Sequence, residues 1–182
     1  MRYISVIFIL CLTFGVVIYT FYNEDIKNSL PTKLPVNYVA TKYGQSFNIT
    51  STKKLKLIHF FNPDCPCSKF NTKHIEQLYN LYKNEVEFIA YSTKKITYSY
   101  PIPDSIDVDG KMAKLLGVYS TPQAVLLDNN GKLIYRGNYN KSRFCSNKSS
   151  EYVKNAIEKA LQKQIDPSIM ELSGKPYGCS IN

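Results

Sequence analysis

The stretch "FFNPDCPCSKF", from Phe60 to Phe70, decides how this sequence is interpreted. It overlaps the end of an apolar run, Leu55–Phe61, whose composition predicts a buried strand, and it precedes a segment whose apolar residues have helical spacing. At a strand-to-helix junction, unpaired backbone N–H groups and the helix dipole stabilise an anion. We therefore expect the pKa of the Cys65 thiol to lie below its ordinary value of about 8.5, which would make Cys65 reactive.

The apolar patterns on both sides of this junction alternate between the periods of strands and helices. Predicted strands are Gln45–Thr50, Leu55–Phe61, Val86–Ser92 and the hairpin Gln123–Gly137, and predicted helices are Cys67–Lys83, Asp109–Val118 and Ser149–Gln164. This order predicts an α/β fold in which a mixed central sheet is flanked by helices.

Composition narrows the choice of partners. The 182 residues are 44% hydrophobic and 20% charged, which fits one globular domain with a short appendage. The net charge of +9 comes from lysines spread along the chain, and no groove-reading or zinc-finger motif accompanies it. We therefore expect no nucleic-acid partner.

The N-terminus predicts one transmembrane helix. Tyr3 to Tyr22 contain no charge and would span roughly 30 Å, about one hydrocarbon thickness. The bulky residues at the end of this stretch argue against signal-peptide cleavage, so a retained anchor over residues 1–22 is expected. Arg2 and the α-amino group favour a cytoplasmic N-terminus. The rest of the chain is then expected on the periplasmic or extracytoplasmic side of the inner (cytoplasmic) membrane, as a single-pass protein.

Behind the anchor, residues 23–36 are predicted to be a linker, 37–165 the folded domain and 166–182 a C-terminal tail. Cys11 lies within the span and is expected to be a membrane-buried thiol. The domain and tail hold four further cysteines in an oxidising compartment, and four thiols permit three complete pairings. Sequence alone leaves the choice among them open.

Three motifs resemble the thioredoxin superfamily: "IHFFNPDC" (Ile58–Cys65), "STPQAVLLD" (Ser120–Asp128) and "NNGKLIYRG" (Asn129–Gly137). The resemblance covers roughly residues 45–164 and is nearest to membrane-anchored, exported thioredoxin-like and redoxin-type proteins of bacteria. It implies a thioredoxin-like fold and a thiol-disulfide oxidoreductase whose nucleophile is Cys65. No cofactor and no metal are implied. The implied partners are thiols or disulfides of exported proteins, with a membrane electron donor as a further candidate.

The resemblance also assigns roles to neighbouring residues. Pro122 matches the family's cis-proline, and Thr121 before it would offer backbone hydrogen bonds to a bound substrate segment. His59 stands six residues before Cys65, where thioredoxins carry a buried acidic group that moves protons. It is therefore a candidate proton shuttle, with a purely structural role as the alternative.

One departure from the family concerns the second cysteine. Thioredoxins usually separate their two active-site cysteines by two residues, whereas only Pro66 lies between Cys65 and Cys67. Cys67 could close a Cys-Pro-Cys disulfide, pair with Cys145 or Cys179, or serve as an accessory metal ligand. Cys145 is the preferred candidate for a remote resolving thiol, and a structural Cys145–Cys179 disulfide is an equally weighted alternative.

Two other functions stay open at this stage. A redoxin-type thiol peroxidase would need a hydroxyl where Asn62 stands, and Arg136 could supply its cation. A non-catalytic copper-handling protein would use Cys65 and Cys67 as soft thiolate ligands, completed by a histidine or Cys145.

Overall fold

The computed structural model describes residues 2–27, 30–164 and 166–181. The residues outside this description are residue 1 of the predicted anchor, residues 28–29 of the predicted linker, residue 165 at the predicted end of the domain and residue 182 of the tail. In chain order, the elements are α1 (Arg2–Phe21), a π-helical turn (Tyr22–Ile26), β1 (Leu55–Phe61), α2 (Pro66–Tyr82), β2 (Val86–Ser92), β3 (Asp104–Ile106), α3 (Lys111–Leu115), β4 (Ser120–Thr121), β5 (Gln123–Asp128), β6 (Leu133–Gly137), a 3-10 turn (Lys148–Ser150), α4 (Tyr152–Leu161), α5 (Ser168–Leu172) and β7 (Cys179–Ser180).

The main sheet has the strand order β3-β2-β1-β5-β6. Its central strand β1 pairs in parallel with β2 and antiparallel with β5, so the sheet is mixed. Side chains alternate across a strand, and in β1 Leu57 and Phe61 join a core cluster that contains residues of α2 and α4. Ile58 and Phe60 join a second cluster on the opposite face, which contains Ala113 of α3. The predicted α/β fold with helices on both faces of a mixed sheet is confirmed.

Burial explains why β1 is the centre of the fold. Six of its seven residues are buried, and each large apolar side chain removed from water stabilises the fold by about 1.5–3 kcal/mol. A strand that is apolar on both faces is stable only where both faces are covered. The strand therefore holds the start of α2 at a fixed place beside the sheet.

Most predicted elements are confirmed. The strands Leu55–Phe61 and Val86–Ser92 have the predicted bounds. Helix α2 begins at Pro66, one residue before the predicted start. Backbone N–H groups in the first turn of a helix have no intrahelical partner, so proline loses no hydrogen bond at this position. The hairpin also forms, with Gly131 at its turn at φ +80°.

The predicted strand Gln45–Thr50 is wrong. Only an isolated bridge forms there, between Ser46 and Lys132, supported by a bond from the Phe47 amide to the Gly131 carbonyl (2.9 Å). The segment meets the chain beside the hairpin turn, at the start of β6. Residues after Phe47 therefore have no strand to pair with in the described part of the chain, and a longer ladder does not form.

Two predicted helices are shorter than expected. Asp109–Val118 is reduced to Lys111–Leu115, because left-handed Gly110 and Gly117 flank it and the Asp107 carboxylate accepts hydrogen bonds from two first-turn amides. Ser149–Gln164 divides into the 3-10 turn and α4. Asn147, not a serine, caps the turn by accepting a bond from the Ser149 amide, and Glu151 is not helical.

The N-terminal apolar helix is present as α1. Its segment Tyr3–Phe21 is long and apolar enough to cross a membrane, and none of it is buried against the rest of the chain. The segment behind it contacts the C-terminal end of the chain, because Pro31 bridges Tyr177 and the Thr32 amide donates to the Pro176 carbonyl at 2.8 Å.

Candidate active site

Cys65 occupies the N-cap position of α2, a helix of 17 residues. Its backbone is extended (φ −81°, ψ 122°), and its carbonyl accepts the amide hydrogen of Lys69 at 3.1 Å, which begins the helical bonding. Its own amide donates to the carbonyl of Asn62 at 3.0 Å and fixes the loop after β1. The sulfur is thus held at the positive end of a helix dipole, where a thiolate is stabilised.

The sulfur of Cys65 forms a disulfide bond with Cys179, and the two Cα atoms are 6.0 Å apart. This partner lies 114 residues further along the chain. This bond belongs to one of the three complete pairings that the sequence left open, but the bonds singled out for Cys65 there were those to Cys67 and Cys145. The physical reason is the pairing of β7 with β4, which sets Cys179 opposite Thr121.

The β4–β7 pairing places the disulfide against the predicted substrate-binding residues. The Thr121–Pro122 peptide bond is cis, and the Thr121 carbonyl oxygen lies 3.6 Å from the sulfur of Cys65. The Thr121 hydroxyl donates to the carbonyl of Cys179 at 3.4 Å, and the Ile181 amide donates to the carbonyl of Tyr119 at 3.0 Å. The structure therefore places three predicted site residues, Cys65, Thr121 and Pro122, next to one another. It also places Cys179 among them.

Cys67 lies in the first turn of α2 and is completely buried. Burial raises the pKa of its thiol, while a hydrogen bond and the positive charge of Arg143 oppose that rise. Arg143 is itself buried, and its guanidinium carbon lies 5.4 Å and 4.7 Å from the ring centroids of Phe70 and Phe144. Cys67 is therefore an enclosed thiol beside a cation, outside the disulfide.

Cys145 lies in the loop after β6, also outside the disulfide. Its thiol donates to the side-chain oxygen of Asn71 at 3.1 Å. Burial, and then the nearby charge of Cys67, raise the pKa of Cys145 to about 12. In this arrangement the thiol stays protonated at neutral pH, whereas attack on a disulfide requires a thiolate.

His59 is fully buried in β1 and uses both ring nitrogens. Its Nε2 lies 2.9 Å from the hydroxyl of Tyr100, and its Nδ1 lies 2.8 Å from the hydroxyl of Tyr139. Burial, and then the charge of His74, lower the pKa of His59 to about 3. The ring is therefore neutral at ordinary pH, and its role as a proton shuttle stays a prediction.

Residues named for the other functions lie in different surroundings. Arg136 bonds to the hydroxyl of Tyr38 and the carbonyl of Gly117. The Asn62 side chain accepts the amide hydrogen of Asp64 at 2.9 Å. Within residues 2–27, 30–164 and 166–181, no group of three or more His, Cys, Asp and Glu side chains is arranged to hold a metal ion.

Two features of this site escaped the sequence analysis. Cys179 was not singled out as the partner of Cys65, and Arg143 was not singled out at all. The sole signal for Cys179 is the glycine that precedes it, since glycine often marks close backbone contact. No local pattern marks Arg143, because its contact with Cys67 depends on how the loop after β6 folds back onto α2.

The sheet, the flanking helices, the helix-start cysteine and the cis-proline loop define a protein of the thioredoxin-like class. The chain belongs to the family described as "Domain of unknown function (DUF6436)", whose model matches residues 36–180. It is also a distant homologue of the thiol-disulfide oxidoreductase ResA of Bacillus thuringiensis subsp. konkukian. The two are 28% identical over 145 residues, which is 72% of this chain and 83% of that protein.

Solved structures agree on the fold. A conserved protein of Geobacillus kaustophilus matches with a TM-score of 0.60 at 21% identity, covering 83% of this chain and 97% of its own. A putative thioredoxin of Neisseria meningitidis matches with a TM-score of 0.50 at 19% identity, covering 68% of this chain and 92% of its own.

Proposed function

We propose that this protein is a thiol-disulfide oxidoreductase that exchanges its Cys65–Cys179 disulfide with cysteines of exported proteins. The observation that carries the proposal is the disulfide itself, which joins the cysteine at the start of α2 to a strand on the cis-proline loop. Homology to ResA, a protein named for the same chemistry, supports it. Cys65 is the nucleophile in this proposal, and Cys179 is its resolving partner.

The exchange balances without a cofactor. A partner thiolate attacks the sulfur of Cys65, the bond to Cys179 breaks, and Cys179 leaves as a thiolate that takes up a proton. A second thiolate of the partner then attacks the partner's sulfur in the mixed disulfide. This step forms the partner's disulfide and releases Cys65 as a thiolate. The partner loses two electrons and gains a disulfide, and the two cysteines of this protein are reduced. The reverse sequence reduces a partner's disulfide.

The electrostatics of the site support Cys65 as the attacking thiolate of the reduced protein. A leaving or attacking thiolate at Cys65 lies at the N-terminus of α2, where the helix dipole favours negative charge. Cys67 and Cys145, by contrast, both have raised pKa values caused first by burial. Among these three cysteines, Cys65 is therefore favoured as the thiolate that attacks a partner's disulfide.

The N-terminal helix completes the proposal. We place α1 in the inner membrane as a retained anchor, because Tyr3–Phe21 is uncharged, long and apolar enough to cross a membrane, and not buried against the rest of the chain. The cationic N-terminus favours the cytoplasmic side. The domain then faces an oxidising compartment, in which a disulfide such as Cys65–Cys179 persists.

Trapping of mixed disulfides tests this function. The full chain in detergent micelles is mixed with a peptide that contains one internal disulfide, and covalent adducts are mapped by mass spectrometry. We expect Cys179→Ser to accumulate more adduct at Cys65 than wild type, because the protein's own resolving thiol is missing and only the peptide's second thiol can release Cys65. Cys65→Ser should form no such adduct.

Cys145→Ser is the matched control. It removes a half-buried thiol outside the disulfide, and we expect it to turn over the peptide at the wild-type rate. The proposal fails if Cys65→Ser exchanges as fast as wild type. Loss of turnover in Cys145→Ser, with adducts retained at Cys65, would instead assign the resolving role to Cys145.

A further inference from the structure

The C-terminal end of the chain lies along the cis-proline loop as an extended segment. Cys179 and Ser180 pair antiparallel with Thr121 and Ser120. On its other side the same segment meets the chain behind α1, because the hydroxyl of Thr32 donates to the Gly178 carbonyl at 3.1 Å. The edge of β4 beside Cys65 is therefore already filled by the protein's own tail.

Gly178 is required where this segment passes the loop. Its φ is +108°, and a Cβ built there would lie 2.1 Å from the carbonyl oxygen of Thr121 and 3.1 Å from its carbonyl carbon. The obstacle is backbone next to Pro122, and Thr121 is completely buried, so a flexible side chain cannot move aside to relieve the clash. The position before the cysteine thus admits no side chain.

The position two residues after the cysteine is apolar. Ile181 packs against the core cluster that contains Val118. It also lines a cavity of about 390 Å³, whose other walls include Val36, Tyr38 and Tyr119. Val36 in the cavity wall is fully exposed, so Ile181 leaves part of the apolar surface of the cavity uncovered.

We propose that the edge of β4 accepts an extended segment of the partner protein that carries glycine directly before its reactive cysteine and an apolar residue two positions after it. This inference rests on the proposed function and names its substrate class. The segment takes the place of residues 178–181, so partner and tail exclude one another. Backbone pairing supplies affinity, and the glycine and the apolar residue supply specificity, as in other cases of strand addition.

The partner segment replaces the tail on β4 in two steps, disulfide exchange followed by strand exchange. The partner's thiolate bonds to the sulfur of Cys65, the Cys65–Cys179 bond breaks, and the Cys179 thiolate leaves and is protonated. Strand β7 then unpairs from β4, and the partner segment pairs there instead. In the reverse direction, the returning tail both attacks the sulfur of Cys65 and displaces the partner segment. Resolution and release of the partner are therefore one event.

Peptides that copy the tail test the inference. The probes are KPYGCSI, with the sequence of residues 175–181, and two versions in which alanine replaces the glycine or serine replaces the isoleucine. Each carries a thionitrobenzoate disulfide on its cysteine, and each is mixed with the reduced full chain of Cys179→Ser in micelles. We expect the glycine peptide to load onto Cys65 about tenfold faster than the alanine peptide, because the Cβ of alanine would collide with the fixed carbonyl of Thr121.

The serine peptide should also react more slowly than the parent, because it loses the apolar contact. Free glutathione reacts with all three peptides as the control for their intrinsic reactivity. Gly178→Ala in the full chain is the second variant. We expect dithiothreitol to reduce its Cys65–Cys179 disulfide faster than in wild type, because the tail no longer fits β4.

The outcomes separate the two proposals. Equal loading of the glycine and alanine peptides overturns this inference, while loading of Cys65 by any of them leaves the proposed function standing. Failure of Cys65 to react with the peptides and with glutathione disulfide overturns both.

Discussion

At the scale of single residues, the core keeps the imidazole of His59 in its neutral form. A neutral imidazole has one donor and one acceptor nitrogen, which suits a ring held between two hydroxyls. An imidazolium would donate from both nitrogens, so the hydroxyls of Tyr100 and Tyr139 would both have to accept. Burial adds the cost of removing a charge from water, and the neutral form is strongly favoured.

This arrangement predicts a loss of stability in acid. The pKa of His59 is 6.5 unfolded and about 3 folded, so below pH 6.5 the unfolded chain binds a proton that the folded chain excludes. The free energy of unfolding should fall by about 1.4 kcal/mol per pH unit from this group between pH 6.5 and about 3. Urea unfolding of the full chain at a series of pH values measures the slope.

His59→Phe is the informative variant. It cannot take up the proton, so its slope should be flatter over the same pH range. At pH 7 it should be less stable than wild type by about 1–3 kcal/mol, because two buried hydroxyls lose a partner. Identical slopes in the two proteins would show that His59 does not carry the acid sensitivity.

At the scale of elements, β7 is the weakest part of the site. It has two residues and, within the part of the chain that the structure describes, pairs only with β4; a two-stranded pairing of this length has little stability of its own. Its attachment depends on the disulfide, on the Ile181 amide bond to Tyr119, and on the contacts with Thr32. By contrast, β1 is paired on both sides and covered on both faces.

Reduction should therefore release β7 and leave the sheet intact. We expect amide hydrogens of residues 178–181 to exchange much faster in the reduced protein than in the oxidised protein, since local opening then needs only a few hydrogen bonds to break. Amides of β1 should keep their protection and serve as the internal control. Hydrogen exchange with mass spectrometry measures both, and unchanged protection of the tail would contradict the expectation.

At the scale of the whole molecule, the disulfide closes a very long loop. It links the start of α2 to the last strand across 114 residues, so it restricts most of the unfolded domain. Chain entropy alone predicts a contribution of about 4–5 kcal/mol to the free energy of unfolding for a loop of this length. The oxidised and reduced proteins should therefore differ strongly in stability.

Denaturant unfolding of wild type and Cys179→Ser measures this difference. We expect Cys179→Ser under oxidising conditions to match reduced wild type, and both to lie several kcal/mol below oxidised wild type. Cys145→Ser is the comparison, because it removes a thiol without opening the loop. A Cys179→Ser variant as stable as oxidised wild type would show that the disulfide contributes no net stability.

Sequence by itself determined the parts that depend on near neighbours. The continuous apolar runs of β1 and β2 and the hairpin turn follow from local composition, and helical spacing predicts α2 to within one residue of its observed ends. The same local pattern identified Cys65 as the cysteine at a strand-to-helix junction. It misplaced the strand at Gln45–Thr50, because its length depends on where a distant partner strand stops.

Only the tertiary structure decided which groups face one another. His59 meets tyrosines that lie 41 and 80 residues away, and Cys65 meets a cysteine 114 residues away. These contacts are set by strand order and register, which result from burying many apolar side chains at once. The cysteine at the start of α2 was therefore visible in the sequence, while its partner depended on where the folded core left an edge for the tail.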